Sequence, residues 1–254
     1  MLRTRVIPCL QLLDETLVKT IRFKKPGYIG DFINTVRIFN ELEVDELCFL
    51  SIRASQKDEQ PNFEILSQIA SECFMPLSYG GGIKDFETAS RIFKMGFEKI
   101  VLNSVVFEKP ELVTQLADHF GSQSVIVSID YKKDFFGRMN MYSHGGTKKQ
   151  KGDLLEFIKR MESLGAGELL LTSIEQEGTW QGYDLSTLKV VSEAVDIPVI
   201  VNGGAGDLRH FKDAVENGAS ALGVGSMVVY QSQGMGVLVN FPDQKQIKYT
   251  LNEF

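Results

Sequence analysis

The sequence predicts one closed (β/α)8 barrel over residues 1–254, and three observations carry that prediction. Short β-rich apolar runs alternate with amphipathic stretches along the chain. The two halves of the chain repeat each other at a fixed spacing. Glycine-rich turns recur just beyond matched apolar runs. A chain of 254 residues also has the length of one such barrel.

The apolar runs are Val6–Leu10, Glu46–Ile52, Met75–Tyr79, Lys99–Leu102, Ser124–Asp130, Glu168–Ser173, Pro198–Asn202 and Ala221–Gly225. They are mostly continuous in apolar character, as parallel strands covered on both faces are. Between them the periodicity predicts helices over Phe32–Glu43, Phe63–Ser71, Phe86–Met95, Glu111–Phe120, Leu154–Leu164, Leu185–Ala194 and Leu208–Asn217. Asp31, Asn62, Asp85, Asp153, Asp184 and Asp207 stand where a side-chain oxygen can cap the first free N–H groups. Gly96, Gly165 and Gly218 stand where a helix stops. Eight strands alternating with helices imply a closed parallel barrel rather than an open sheet. The tail Gly236-Val237-Leu238-Val239-Asn240-Phe241-Pro242 reads as a strand.

A shift of 122 residues lays Glu46-Leu47 on Glu168-Leu169 and Ser51-Ile52 on Ser173-Ile174. The same shift matches Pro76 with Pro198, Gly81-Gly82 with Gly203-Gly204, Asp85 with Asp207, Gly96 with Gly218 and Ser104 with Ser226. Each copy covers a half-barrel less its first strand.

Composition narrows the function. Net charge is −6 with both signs interspersed, which speaks against a nucleic-acid binder. Cys9, Cys48 and Cys73 sit in apolar runs at no metal-ligand spacing, so they read as buried, reduced thiols. No leader-like or membrane-spanning run occurs, and the chain reads as cytoplasmic. No pattern suggests a metal or a redox cofactor.

Barrel chemistry sits at the C-terminal strand ends. Gly80-Gly81-Gly82 with Asn103-Ser104, and Gly203-Gly204-Ala205-Gly206 with Gly225-Ser226, form two repeat-related clusters there. Glycine lets backbone N–H groups approach an anion closely, so the pair predicts two phosphate cradles on opposite sides of the mouth. At the opposite face, Arg5, Glu46, Lys99 and Glu168 stand at or just before strand starts. Four charges of alternating sign beside a closed interior can satisfy one another in a ring.

Together, Arg5-Val6-Ile7-Pro8-Cys9-Leu10, Gly80-Gly81-Gly82-Ile83, Asn103-Ser104, Phe120-Gly121-Ser122-Gln123 and His144-Gly145-Gly146 resemble the cyclase subunit of imidazole glycerol phosphate synthase. So do Gly165-Ala166-Gly167-Glu168, Leu171-Thr172-Ser173, Gly178-Thr179, Gly182-Tyr183-Asp184 and Gly203-Gly204-Ala205-Gly206. The match runs to about Ser226. It implies a (β/α)8 fold, a glutaminase partner subunit, and ammonia passing through the barrel to a bis-phosphorylated ribosyl-carboxamide. Arg5, Glu46, Lys99 and Glu168 match the family's ammonia gate. Lys19 resembles its mobile-loop lysine. The resemblance also places Gly82, Asn103, Ser104, Thr172, Glu177, Gly178, Gly203, Gly204, Gly225 and Ser226 at the substrate.

The chain departs from the family at the mouth. The family reaction uses two facing aspartates. Asp130 fills the place ending the fifth strand, but Gln11 stands at the other. An amide orients a substrate but has no pKa for proton transfer near neutrality. Ser51 also stands at an aspartate position, and Glu175 and Glu177 replace aspartates. Three functions follow from this pattern: the family cyclisation, ammonia supply for amidination of a nucleotide sugar in surface-polysaccharide synthesis, or a non-catalytic binding module. The Gln11 site and the tail resemble the second copies found with surface-polysaccharide amidotransferases. His144 reads as structural more than catalytic. Trp180 either covers the substrate or packs on its loop, and Lys148, Lys149 and Lys151 read as a solvated loop.

Overall fold

The computed structural model describes residues 3–251. Twelve strands occur among them: β1 (Arg5–Leu13), β2 (Thr16–Ile21), β3 (Lys24–Gly30), β4 (Leu47–Ser51), β5 (Leu77–Gly80), β6 (Lys99–Leu102), β7 (Val125–Lys133), β8 (Met139–Ser143), β9 (Lys148–Lys149), β10 (Glu168–Ser173), β11 (Val199–Asn202) and β12 (Ala221–Val224). Eight of them close a parallel barrel in the order β1-β4-β5-β6-β7-β10-β11-β12, with β12 pairing back onto β1. The other four are antiparallel extensions. β2 and β3 fold back from β1, and β8 and β9 fold back from β7. The first strands of the two half-barrels, β1 and β7, are thus the two long ones, with nine residues each.

The helices are α1 (Phe32–Glu41), α2 (Phe63–Glu72), α3 (Phe86–Lys94), α4 (Glu111–Phe120), α5 (Leu154–Ser163), α6 (Leu185–Ser192), α7 (Leu208–Glu216), α8 (Ser226–Val229) and α9 (Gln244–Leu251). All six expected caps form, each side chain accepting from a first-turn N–H. Each such cap contributes about 1 kcal/mol. The spacing of α1 places Phe32, Thr35, Val36 and Phe39 on one buried stripe. Each large apolar side chain there contributes roughly 1.5–3 kcal/mol of burial.

Two expectations fail. The tail does not form a strand: only Val237 bridges to Tyr230, and α9 follows. The eight parallel strands pair with one another all round, so none of them offers the tail an edge. Asp243 instead caps a helix, accepting from Lys245 N at 2.8 Å, and α9 packs on α7 through the fully buried Ile247. Cys73 is the second correction. It caps the C-terminal end of α2 beside the exposed Phe74, short of β5, and is only half-buried. Cys9 and Cys48 are buried as expected, and all three are free thiols. No helix among the described residues is long and apolar enough to cross a membrane.

Strand alternation sorts the barrel into an outer and an inner set. On β1, Val6, Leu10 and Leu12 face the helices, while Ile7 and Cys9 face the axis with Cys48, Val101, Ile126, Leu170, Ile200 and Ala221. Arg5 lies two residues before Ile7, and Gln11 two residues after Cys9, so both share the inward face. Cys9 lies four residue steps beyond Arg5, roughly 13 Å along a strand.

Candidate active site

The N-terminal end of the axis is closed by charge. Arg5 Nη1 donates to Glu46 Oε2 at 2.7 Å and Arg5 Nη2 to Glu168 Oε2 at 3.0 Å. Lys99 Nζ donates to Glu46 Oε2 at 3.1 Å and to Glu168 Oε1 at 2.9 Å. The four side chains form an unbroken ring of alternating sign. Burial opposes the Arg5 charge, but Glu168 and Glu46 more than offset it and raise the pKa above the ordinary guanidinium value. Glu46 is almost fully buried, and its Oε1 is a buried side-chain atom with no hydrogen-bond partner among the described residues.

The C-terminal end holds a cavity of about 280 Å³. Most mouth positions singled out from the sequence line it: Gln11, Lys19, Gly82, Asn103, Ser104, Asp130, Thr172, Glu177, Gly178, Gly203, Gly204, Gly225 and Ser226. Its floor reaches Cys9, Leu50, Val101 and Ser128. An apolar layer of Ile7, Cys48, Ile126, Leu170, Ile200 and Ala221 separates that floor from the ring.

The two glycine clusters are built alike. Gly81 and Gly82 have φ of 121° and 71°, and Gly203 and Gly204 have 92° and 113°, a region that side chains strain to occupy. A Cβ on Gly204 would lie 2.0 Å from the Gly182 carbonyl oxygen. Asn103 precedes a short 3-10 helix over Ser104–Phe107, and Gly225 likewise precedes α8. The repeat thus gives two matching clusters of turn glycines and short-helix N-termini on one cavity.

Asp130 and Gln11 face each other. Their strands, β7 and β1, stand four strands apart either way around the barrel. Burial pushes the Asp130 carboxyl up to about 7, against the opposing hydrogen bond from Asn103 Nδ2 at 3.2 Å. Gln11 Oε1 accepts from Thr20 N at 2.9 Å and Thr20 Oγ1 at 3.1 Å, and Gln11 Nε2 donates to Glu177 Oε1 at 3.2 Å. Its amide is therefore held between β2 and the β10–α6 loop. Lys19 lies on β2, buried, with its ammonium on Glu177 Oε1. It is thus a strand residue of the β2–β3 hairpin.

Several contributors were not singled out from the sequence. Thr20 and Phe23 line the cavity from the hairpin, and Arg53, Lys84 and Lys109 line it too, Lys84 paired with Asp58. Asn202 Nδ2 donates to Thr172 Oγ1 at 3.2 Å. His144 lines the cavity as well, with its backbone N–H on Ser104 Oγ at 3.0 Å and its Nδ1 2.8 Å from Ser143 Oγ. Trp180 lies outside the lining, and its backbone backs directly onto Gly206. Ser51 lines the cavity, whereas Glu175 is exposed and accepts from Lys133 N at 3.0 Å. Lys148 and Lys149 form the exposed strand β9.

The family model described as "Histidine biosynthesis protein" matches residues 5–233. The chain belongs to that family. Within it, the chain is similar to proteins named for the HisF subunit of imidazole glycerol phosphate synthase. The Exiguobacterium protein of that name is 44% identical over 225 residues, 87% of each chain. The Streptococcus sanguinis one is 36% identical over 233 residues, 92% of each chain. A Pseudomonas aeruginosa protein, "Putative imidazole glycerol phosphate synthase subunit hisF2", is 44% identical over 248 residues, 97% of this chain and 99% of the relative. The present chain is a divergent, HisF-type member of the histidine biosynthesis family. Its ion ring, inward polar residues and paired glycine turns all lie within the matched span, and only α9 among its helices lies beyond it.

Proposed function

We propose that this chain is the synthase subunit of a glutamine amidotransferase. Ammonia released by a separate glutaminase subunit enters at the Arg5–Glu46–Lys99–Glu168 ring. It moves along the axis past Cys9 and Val101 and meets a phosphorylated ribosyl-carboxamide held at the mouth. The observation that carries this reading is the placement of both devices on one axis, with a closed ion ring at one end and the paired glycine cradles around Asp130 at the other. A buried ring of ions contributes little net stability against an apolar plug, so its presence favours a role beyond packing. The unpartnered Glu46 Oε1 supports entry there, since an ammonium ion would supply the donor it lacks. With a pKa of about 7, Asp130 both takes and returns a proton near neutrality. The N–H groups around Gly82, Ser104, Gly204 and Ser226 suit the two phosphates.

Ammonium salt plus the bis-phosphorylated ribosyl-carboxamide tests this directly. Cyclised product is expected from the wild-type chain and should fall by about 10²-fold or more in Asp130→Asn. Equal rates in both proteins would rule out the assigned role of Asp130.

Gln11 favours a second reading. Its amide is held by Thr20 and Glu177 and has no pKa near neutrality with which to transfer a proton. Under this reading the chain delivers ammonia for amidination of a nucleotide sugar bound by another enzyme. Growth of a histidine auxotroph lacking its own cyclase subunit separates the two. Rescue by the wild-type gene would eliminate this second reading.

A further inference from the structure

Glu177 makes more bonds than holding a substrate would require. Its Oε1 accepts from Lys19 Nζ, from Thr20 Oγ1 at 3.0 Å and from Gln11 Nε2 at 3.2 Å. Its Oε2 accepts from Phe23 N at 3.0 Å, and its backbone oxygen accepts from Arg22 N at 2.9 Å. Four of these five donors belong to residues 19–23, the end of β2 and the turn into β3.

That turn needs the support. Ile21 pairs with Lys24, so Arg22 and Phe23 alone make the connection, and both are left-handed with φ of 55° and 60°. Two-residue hairpin turns of this kind favour Asn and Gly at such positions, and an arginine and a phenylalanine carry strain there. Both strained residues donate their N–H groups to Glu177. Gly178 completes the seat, because a Cβ at its φ of 76° would lie 2.6 Å from the Thr20 carbonyl oxygen.

Lys19 also reaches the second glycine cluster. A Cβ on Gly225 would lie 2.9 Å from Lys19 Cε, so the lysine stem lies against Gly225. Burial lowers the pKa of this ammonium, and Glu177 is the counter-charge that holds it. An anion arriving at Gly204, Gly225 and Ser226 therefore meets a cation that is already engaged.

We propose that Glu177 is a positioning residue that competes internally for Lys19. It holds the ammonium and the β2–β3 hairpin together, and a phosphate group in the second cradle takes Lys19 from it and loosens the hairpin. This rests on the phosphate reading of the cradles given above. Gln11 is the matching part. Its Nε2 donates to Glu177, whereas an aspartate there would set two carboxylates against each other at that spacing. Positions 11 and 177 are coupled, and restoring an aspartate at 11 alone is expected to unseat the hairpin.

Calorimetric titration with inorganic phosphate tests the competition. In Glu177→Gln, one class of phosphate site should tighten about tenfold, within the usual range of coupling between sites. Adding Lys19→Met to that variant should abolish the gain. A purely structural Glu177 predicts the opposite sign, since losing it would misplace Lys19 and weaken binding. Unchanged or weaker phosphate binding in Glu177→Gln, with normal binding by wild type, overturns the proposal and leaves the cradles standing. Absence of phosphate binding in both proteins overturns the proposal and the cradle reading together. Thermal unfolding gives an independent check. Gln11→Asp should lower Tm at neutral pH, and Gln11→Asp combined with Glu177→Gln should recover it. A Gln11→Asp protein as stable as wild type at neutral pH refutes the coupling.

Discussion

Replacing Asp130 by asparagine should stabilise the protein at alkaline pH while removing its proton-transfer group. Burial raises the Asp130 pKa from 3.8 to about 7. The folded state therefore disfavours the ionised form. Below the unfolded value the carboxyl is protonated in both states and costs nothing. As pH rises from about 4 the unfolded chain ionises first, and the stability lost to this group grows until it levels off above about 7. Roughly three pKa units at 1.36 kcal/mol each set a ceiling of about 4 kcal/mol. Relaxation and water in the cavity reduce this, so a gain of about 1–3 kcal/mol is expected at pH near 8. An asparagine oxygen still accepts from Asn103 Nδ2, so that hydrogen bond survives the change. At pH near 4 the two proteins should be nearly equal. Urea unfolding followed by circular dichroism at both pH values measures the difference, and paired variants cancel the other titrating groups. A gain of the same size at both pH values, or a loss at high pH, would refute the burial argument.

Three further outcomes follow from the geometry. Lys99→Met removes two of the four bonds in the ring and leaves Glu46 and Glu168 underpaired, so urea unfolding should show a loss of about 3 kcal/mol. Gly204→Ala places a Cβ 2.0 Å from the Gly182 oxygen at a φ of 113°, so it should cost about 3 kcal/mol or more and abolish phosphate binding at the second cradle. In thiol labelling of the native protein, Cys73 should react, whereas Cys9 and Cys48 should stay silent until the chain unfolds. Cys9 is buried, and its thiol is held well above the ordinary range by Cys48 and by burial.

What the sequence revealed of this fold depended on whether the signal was local. The caps Asp31 through Asp207 were legible because a carboxylate or amide meets an N–H two or three residues away, whatever the rest of the chain does. The barrel strands were legible because their apolar runs face packing on both sides. The ion ring was legible as four charges at strand starts, and strand alternation then turned all four inward. The β2–β3 hairpin was not legible, because its turn is Arg22-Phe23 and lacks the Asn or Gly that would announce it. The partner of Gln11 was hidden for a different reason. Glu177 lies 166 residues away and reaches Gln11 only once β1 and the β10–α6 loop meet at the mouth. The tail misled because a β-rich run such as Val237-Leu238-Val239 makes a strand only where an edge awaits it, and the eight parallel barrel strands, each paired on both sides, present none to it.

The most direct test of an ammonia-using barrel is isotopic. The wild-type chain would be given ¹⁵N-ammonium and the bis-phosphorylated ribosyl-carboxamide, and the products analysed by mass spectrometry. The account predicts one ¹⁵N atom in an imidazole product, with the label lost when Asp130 becomes asparagine. Recovery of the carboxamide unchanged and unlabelled from the wild-type reaction would contradict it.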